Sequence, residues 1–357
     1  VNVTGIDHLE LFVADLHRAA HWLCDGFGFQ VVGDAGSQAL GEHRHSQVLQ
    51  QGSIRLVVTA ADHPTDEVSG YVELHEDGIR DIAFRVPDAT EAFREAVRLG
   101  ARPLQEPVRS EDAQGRLIRA IVSSPVGDVV HSLIQREAPE SQFWPGRFQM
   151  REGVHLPSAP MMVDVDHLAL CVAPGSLVQG VEFYERVFGF RQSHEENVET
   201  AYSGMNSRVV QDAAGRACLV LMEPMAGKRQ GQIDRFLLGH RGPGVQHLAF
   251  RSGDILGTVK YLRDHQVSLL ESPPGYYERL PQRVRLEDVG EDWQQLRDGC
   301  VLVDHEGSGY LLQVFTRSAH PRRTLFFEVT QRKSARGFGA ANIRALYEAV
   351  EQELGHG

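Results

Sequence analysis

The chain is written twice. Residues 5–13, GIDHLELFV, return as VDHLALCVA at 165–173. A helix-like stretch follows each and ends in an aromatic-glycine-aromatic turn, Phe27-Gly28-Phe29 and Phe188-Gly189-Phe190. GIRDIAFRV at 78–86 pairs with GVQHLAFRS at 244–252, and VVHSLIQRE at 129–137 with LFFEVTQRK at 325–333. A repeat of this length makes the halves two versions of one fold unit. Within each half the pattern is strand, helix, then several strands, occurring twice. The strands alternate with period 2, and stretches such as Ala89–Gly100 have helical period. Arg136–Ser158, rich in Pro, Gly, Gln and Glu and without clear period, reads as the linker. The expected domains are 1–150 and 151–357, which suits 357 residues.

Charge narrows the partners. Lys plus Arg is 36 against 48 for Asp plus Glu, a formal net charge of −12. An acidic surface repels nucleic acid and anionic lipid, and no apolar run approaches the ~18 residues of a membrane span. The partner expected is a small molecule, with no nucleic acid and no membrane; a homo-oligomer is left open. Cys24, Cys171, Cys218 and Cys300 form no CxxC pair, and Cys171 and Cys218 lie in apolar runs. A reduced, cytoplasmic setting is expected.

The aligned strand positions carry the chemistry. In the second half they are His167, His247 and Glu328, 80 and 81 residues apart. In the first half they are His8, Asp81 and Ser132. Two imidazoles and one carboxylate form a facial set that leaves coordination positions open, as a non-haem Fe(II) binding substrate and O₂ together requires. Alternation places His167 with Ala169 and Cys171, His247 with Val245 and Ala249, and Glu328 with Phe326 and Thr330. A carboxylate on such a strand is costly to bury unless it is paired or metal-bound. The plainer reading is three buried polar residues satisfied by hydrogen bonds. Matched repeat positions favour the metal. The first half lacks the carboxylate and one imidazole, so it reads as a retained, non-catalytic copy rather than a second metal site on His8 and Asp81.

The segments VDHLAL, GQIDRFL, GPGVQHLAF, SPPGYYERL, LLQVFT, LFFEVTQR and GFGAANIRALYEAVE resemble the 4-hydroxyphenylpyruvate dioxygenase and 4-hydroxymandelate synthase family of the vicinal-oxygen-chelate superfamily. The resemblance covers the whole chain and is strongest from Val163 to Leu354. It implies an α+β fold: two vicinal-oxygen-chelate domains, each a pair of βαβββ modules forming an open barrel, plus a C-terminal lid helix. It implies Fe(II) on His167, His247 and Glu328, with 4-hydroxyphenylpyruvate and O₂ as small-molecule partners. Family pocket positions fall on Ser207, Gln232, Gln246, Gln313, Phe315, Phe326 and Phe338. Gln246 and Gln313 are expected to take part in catalysis by orienting the substrate.

Two features bring the chain closer to the synthases. Ile343 stands where the dioxygenases carry phenylalanine, at the start of the lid helix, and is expected to help set the site of oxygen insertion. The strand ending in Glu223-Pro224 is apolar, with Val220 and Met222, where the dioxygenases tend to have Pro-x-Asn; threonine is usual among the synthases at Val220. The expected reaction is decarboxylation with benzylic hydroxylation to 4-hydroxymandelate and CO₂, which in this family serves antibiotic biosynthesis. The alternatives are ring hydroxylation to homogentisate and a non-enzymatic binding protein of the same superfamily. The final stretch, Asn342–Leu354, presents Ile343, Leu346, Tyr347, Val350 and Leu354 on one face. Periodicity alone favours a core-packing helix. The resemblance makes it the lid.

Overall fold

A computed structural model of the chain describes residues 1–36, 43–113, 115–137, 143–200, 202–272, 275–306, 309–345 and 347. The first sheet is built from β1 (Ile6–Phe12), β2 (Gln30–Ala35), β3 (Arg44–Gln51), β4 (Ile54–Ala61), β5 (Gly78–Arg85), β6 (Pro103–Asp112), β7 (Gly115–Ser123), β8 (Val130–Arg136) and β9 (Gln149–Met150). The second is built from β10 (Met162–Cys171), β11 (Arg191–Glu199), β12 (Gly204–Gln211), β13 (Cys218–Pro224), β14 (Gly244–Ser252), β15 (Leu302–Glu306), β16 (Gly309–Phe315) and β17 (Phe326–Lys333). Strand order in the first is β6-β7-β8-β5-β1-β4-β3-β2-β9, and in the second β11-β12-β13-β10-β14-β17-β16-β15. Read from opposite ends, these are one topology. Each half is two βαβββ modules joined where its first strand runs antiparallel to its central one, β1 to β5 and β10 to β14. The expected α+β fold of two curled sheets is what the chain adopts.

Each strand has two faces, and the two faces go to different cores. In the second half Ala169, Cys171, Val209, Val220 and Met222 line the barrel. Their neighbours Leu168, Leu170, Val210, Leu219 and Leu221 face the other way, into a large core shared with the first half. The aromatic-glycine-aromatic turns explain that sharing. Gly28 and Gly189 take positive φ, 74° and 65°, which glycine adopts without steric cost. Each turn then drives its rings onto the other half's central strand. Phe29 packs 5.7 Å from Phe250, and Phe190 5.6 Å from Phe84, centroid to centroid. The two halves thus plug each other symmetrically.

The Pro/Gly-rich stretch expected to be a linker is only partly one. Phe143, Trp144 and Phe148 enter the first barrel's core, and β9 pairs with β2. Three aromatics in six residues have too much apolar surface to leave in water. Among the described residues no helix is long and apolar enough to cross a membrane.

Two histidines at the junction of the halves should make stability pH-dependent. His131 is fully buried; its Nδ1–H donates to the Ile82 carbonyl and its Nε2 accepts from the Tyr184 hydroxyl, both at 3.0 Å. His240 stacks on His75, centroids 4.2 Å apart. Burial pushes both imidazoles down to about 4. Unfolded, each would take its proton near pH 6.5. Below that the unfolded chain binds protons that the folded one refuses, so stability falls as pH drops from about 6.5 towards 4, by about 1.4 kcal/mol per pH unit for each histidine. Urea midpoints at pH 7 and pH 5 measure this, and a His131→Gln protein should lose less over the same interval.

Candidate metal centre and active site

Two β-bulges build the site. Between β10 and β14 the register slips at Val165/His167 and again at Ala169/Leu170. The extra residues are Asp166 on one strand and Gln246 on the other. A bulge sets two consecutive residues against one on the partner strand, breaking strict alternation. Asp166 therefore lies beside His167, and Gln246 beside His247. Val245 goes to the opposite face, into the shared core, contrary to the alternation expected for it. β17 runs parallel to β14 with Ala249 opposite Glu328, which brings the carboxylate to the two imidazoles.

The ligand atoms of His167, His247 and Glu328 all lie within 4.8 Å of one another. Among the described residues this is the one such cluster. Glu328 Oε2 is 3.4 Å from His167 Nε2 and 3.3 Å from His247 Nε2. Bonds of about 2.1 Å at right angles put neighbouring donors about 3 Å apart, so the set fits a metal held on one face. Both Nδ1 atoms face away from the centre, towards Asp166 Oδ1 at 2.8 Å and Gln246 Oε1 at 3.3 Å. Those acceptors hold the proton on Nδ1 and leave Nε2 to bind a metal. Electrostatics agree. Burial disfavours charge on both partners, yet His167 rises to about 9 beside Glu328 and Asp166, while the two histidines hold Glu328 down to about 2.

Two further layers of residues support the ligands. Arg332 donates to both oxygens of Asp166 at 2.8 Å, and its guanidinium lies 5.0 Å from the Phe338 ring centroid. Burial notwithstanding, Arg332 and His167 hold the Asp166 carboxyl well below the usual range. Gln313 Nε2 donates to Glu328 Oε1 at 2.8 Å, Asn342 Nδ2 donates to Gln313 Oε1 at 2.9 Å, and the Tyr276 hydroxyl donates to Asn342 Oδ1 at 2.7 Å. The signal was present for the first layer: Asp-His and Gln-Arg recur in both halves, and Asp7, His8 and Arg136 make the same contacts. Asn342 carried no such signal.

The cavity at the triad is lined by Ser207, Val220, Met222, Gln313, Phe315, Phe338 and Ile343, all expected from the sequence, and by His194, Glu196, Met205 and Val209, which were not. Phe326 stands behind it, stacked on His247 at 4.8 Å. Gln246 is buried beside His247, outside the cavity lining, and Gln232, opening the helix Gln232–His240, does not line it either. Residues 340–345 are helical; Leu346, Val350 and Leu354 lie outside the described residues. Phe338 meets His167 edge-on at 5.2 Å, and the space left is about 40 Å³, room for about one water. An aromatic acid needs more room than this.

Among the described residues the first half holds no equivalent metal set. Sheet register confirms the alignment of its positions: His8 pairs with Ala83 as His167 does with Ala249, and Ile121 with Ser132 as Phe315 does with Glu328. Asp81, however, is bound to Arg119 at 3.1 Å and to the Ser132 backbone N–H at 2.8 Å.

The sequence profile of the glyoxalase/bleomycin resistance protein/dioxygenase superfamily matches residues 5–128 and 164–280. The chain belongs to that superfamily. The 4-hydroxyphenylpyruvate dioxygenase of Yarrowia lipolytica is 31% identical over 98% of this chain and 92% of that protein. Its counterpart from Danio rerio is 32% identical over 97% and 89%. A solved triple variant of 4-hydroxymandelate synthase from Streptomyces coelicolor is 39% identical, covers 99% of this chain and all of that one, and superposes with a TM-score of 0.88. Within the superfamily the chain is therefore a non-haem Fe(II) dioxygenase of the family that contains these enzymes.

In this dioxygenase the Asp166 contact should be measurable apart from the metal ligands. Asp166→Asn keeps the shape but weakens the hold on the His167 Nδ1 proton. Loss of such an orienting partner typically costs 10–100-fold in metal affinity. The expected result is a folded protein whose Fe(II) affinity falls by about that factor, measured by competition with a chromophoric chelator. Unchanged affinity would reduce Asp166 to a structural partner of Arg332.

Proposed function

We propose that the enzyme is a 4-hydroxymandelate synthase: 4-hydroxyphenylpyruvate and O₂ give 4-hydroxymandelate and CO₂. One oxygen atom goes to the carboxylate formed on decarboxylation, the other to the benzylic carbon. The metal site is His167, His247 and Glu328; Fe(II), when bound, supplies chelation of the 2-oxo acid and the redox chemistry of O₂. The observation that carries the synthase reading is the aliphatic wall of the cavity, where Ile343 joins Val209, Val220 and Met222. A branched side chain at Ile343 leaves the substrate ring room to turn, so that its benzylic carbon rather than the ring meets the oxidant. Likeness to the Streptomyces coelicolor synthase supports the same reading.

The remaining residues have work suited to that reaction. Phe315, Phe338 and Met222 exclude water from the reacting centre. Gln313 holds Glu328 in place through its amide nitrogen and is itself fixed by Asn342, on the lining of the same cavity. The polar groups of His194, Glu196 and Ser207 are the partners available to the phenol. We place the enzyme in the cytoplasm, in keeping with its four free cysteines.

The second reading is a homogentisate-forming dioxygenase, favoured by relatives such as those from Yarrowia lipolytica and Danio rerio. The two products are isomers, so chromatographic retention and fragmentation, rather than mass alone, separate them. The Fe(II) enzyme given 4-hydroxyphenylpyruvate in air should yield hydroxymandelate. Homogentisate as the main product would replace the first reading by the second.

A further inference from the structure

The first half has the barrel without the metal ligands, and the barrel is not filled. It holds a cavity of about 460 Å³, open to solvent on one side and within the range of small-molecule sites. The sheet register shows what replaced the ligand set. Arg119 pairs across β7 and β8 with Ile134, the counterpart of Gln313 pairing with Thr330 across β16 and β17. Its guanidinium donates to Ser132 Oγ at 2.8 Å and to Asp81 Oδ2 at 3.1 Å. These two residues hold the positions of Glu328 and His247. A fixed positive charge is thus bound by the same places that gather the cation site in the other half.

A second guanidinium is less provided for. Arg147 lies 5.4 Å from the Trp144 ring centroid, and Arg119 5.0 Å from the same ring. Among the described residues the Arg147 side chain has no carboxylate and no hydrogen-bond acceptor. Arg44 and Arg80, also on the cavity lining, are held by Asp66 and Glu67. Burial, and then the nearby Arg119 charge, disfavour the Arg147 cation. An anion in the cavity would relieve both effects. The lining carries three carboxylates, of which Glu67 and Asp81 are paired with Arg80 and Arg119 and Glu10 accepts from the Thr59 hydroxyl at 2.7 Å; Phe12, Val57, Ile121, Val130 and Phe148 add an apolar surface that suits a ring better than a hydrated inorganic ion.

We propose that the first barrel is a second ligand site, which binds a small aromatic carboxylate with the carboxylate on Arg147 and the ring against Trp144 and the apolar strands. The ligand is held by charge and stacking and not by a metal.

The test uses the full-length, metal-free protein and phenylacetate, which has no keto group to chelate iron. Binding is followed by tryptophan fluorescence and independently by equilibrium dialysis. Phenylacetate should bind saturably, and Trp144→Phe should abolish the fluorescence change while dialysis still detects binding. Arg147→Gln should weaken binding at least tenfold, a loss of about 1.4 kcal/mol, and Arg147→Lys should restore most of it. Circular dichroism confirms that each variant is folded. Three results would overturn the proposal: undiminished binding by folded Arg147→Gln; inorganic phosphate binding as tightly as phenylacetate; or binding lost in His167→Ala, which would place the ligand in the other barrel.

Discussion

Glu328→Ala is expected to abolish iron binding and turnover together, in a protein that still folds. Wild type should carry one Fe(II) per chain. The variant should carry none, with O₂ consumption at background in the presence of 4-hydroxyphenylpyruvate. Glu328 is 1% exposed and is the anionic member of the ligand set. Without it two imidazoles remain, and neither supplies negative charge. The fold should survive because Glu328 contributes one side chain to β17, whose pairing with β14 and β16 is backbone-to-backbone. The cost comes from Gln313, whose amide N–H loses its acceptor; an unsatisfied buried donor costs about 1–3 kcal/mol. Metal analysis, oxygen-electrode traces and a thermal melt on one preparation separate the three effects. Wild-type iron content in the variant would sink the ligand assignment. His8→Ala is the control and should leave iron unchanged, since Asp81 and Ser132 are already committed to Arg119.

The second large effect concerns product rather than rate. Ile343→Phe is expected to shift the ratio of ring-hydroxylated product to hydroxymandelate at least tenfold upward, a change of about 1.4 kcal/mol between competing barriers. Ile343 lines the cavity with Phe338, Val209 and Val220, and the free space there is small. A planar ring in that position takes up the room in which the substrate ring turns. Overpacking of this kind costs about 1–3 kcal/mol of stability, so the comparison holds only for variant shown to be folded. The ratio is the right observable because it is independent of how much enzyme is active. An unchanged ratio would make Ile343 a packing residue and move the determinant to Val220 and Met222.

The support around the metal set was legible only in part. Asp166 and Arg332 belong to pairs that recur in both halves, Asp-His and Gln-Arg. That recurrence was read as alignment rather than as a contact. Gln313 lines the cavity, as its place on the strand leads one to expect, but its bonds to Glu328 and Asn342 are not legible in the sequence. Gln232 was expected in the pocket and opens a helix outside it. A side chain's partner depends on which element lies opposite, and neither residue type nor period names that element.

From the sequence alone came the two-fold design, the α+β class and the triad, because a repeat repeats its register. Strand residues two apart share a face, so His167, His247 and Glu328 could be matched across 80 and 81 residues with no local motif between them. Only the tertiary structure decided which residues stand beside them. The bulges at Asp166 and Gln246 put consecutive residues together and send Val245 into the shared core. The exchange of Phe29 and Phe190 between halves merges two expected cores into one. The physical reason is common to these cases. Alternation is a property of a single strand and is written along it, whereas a bulge, an ion pair such as Arg119–Asp81 or a ring lodged in the other half exists only when a second strand is laid against the first.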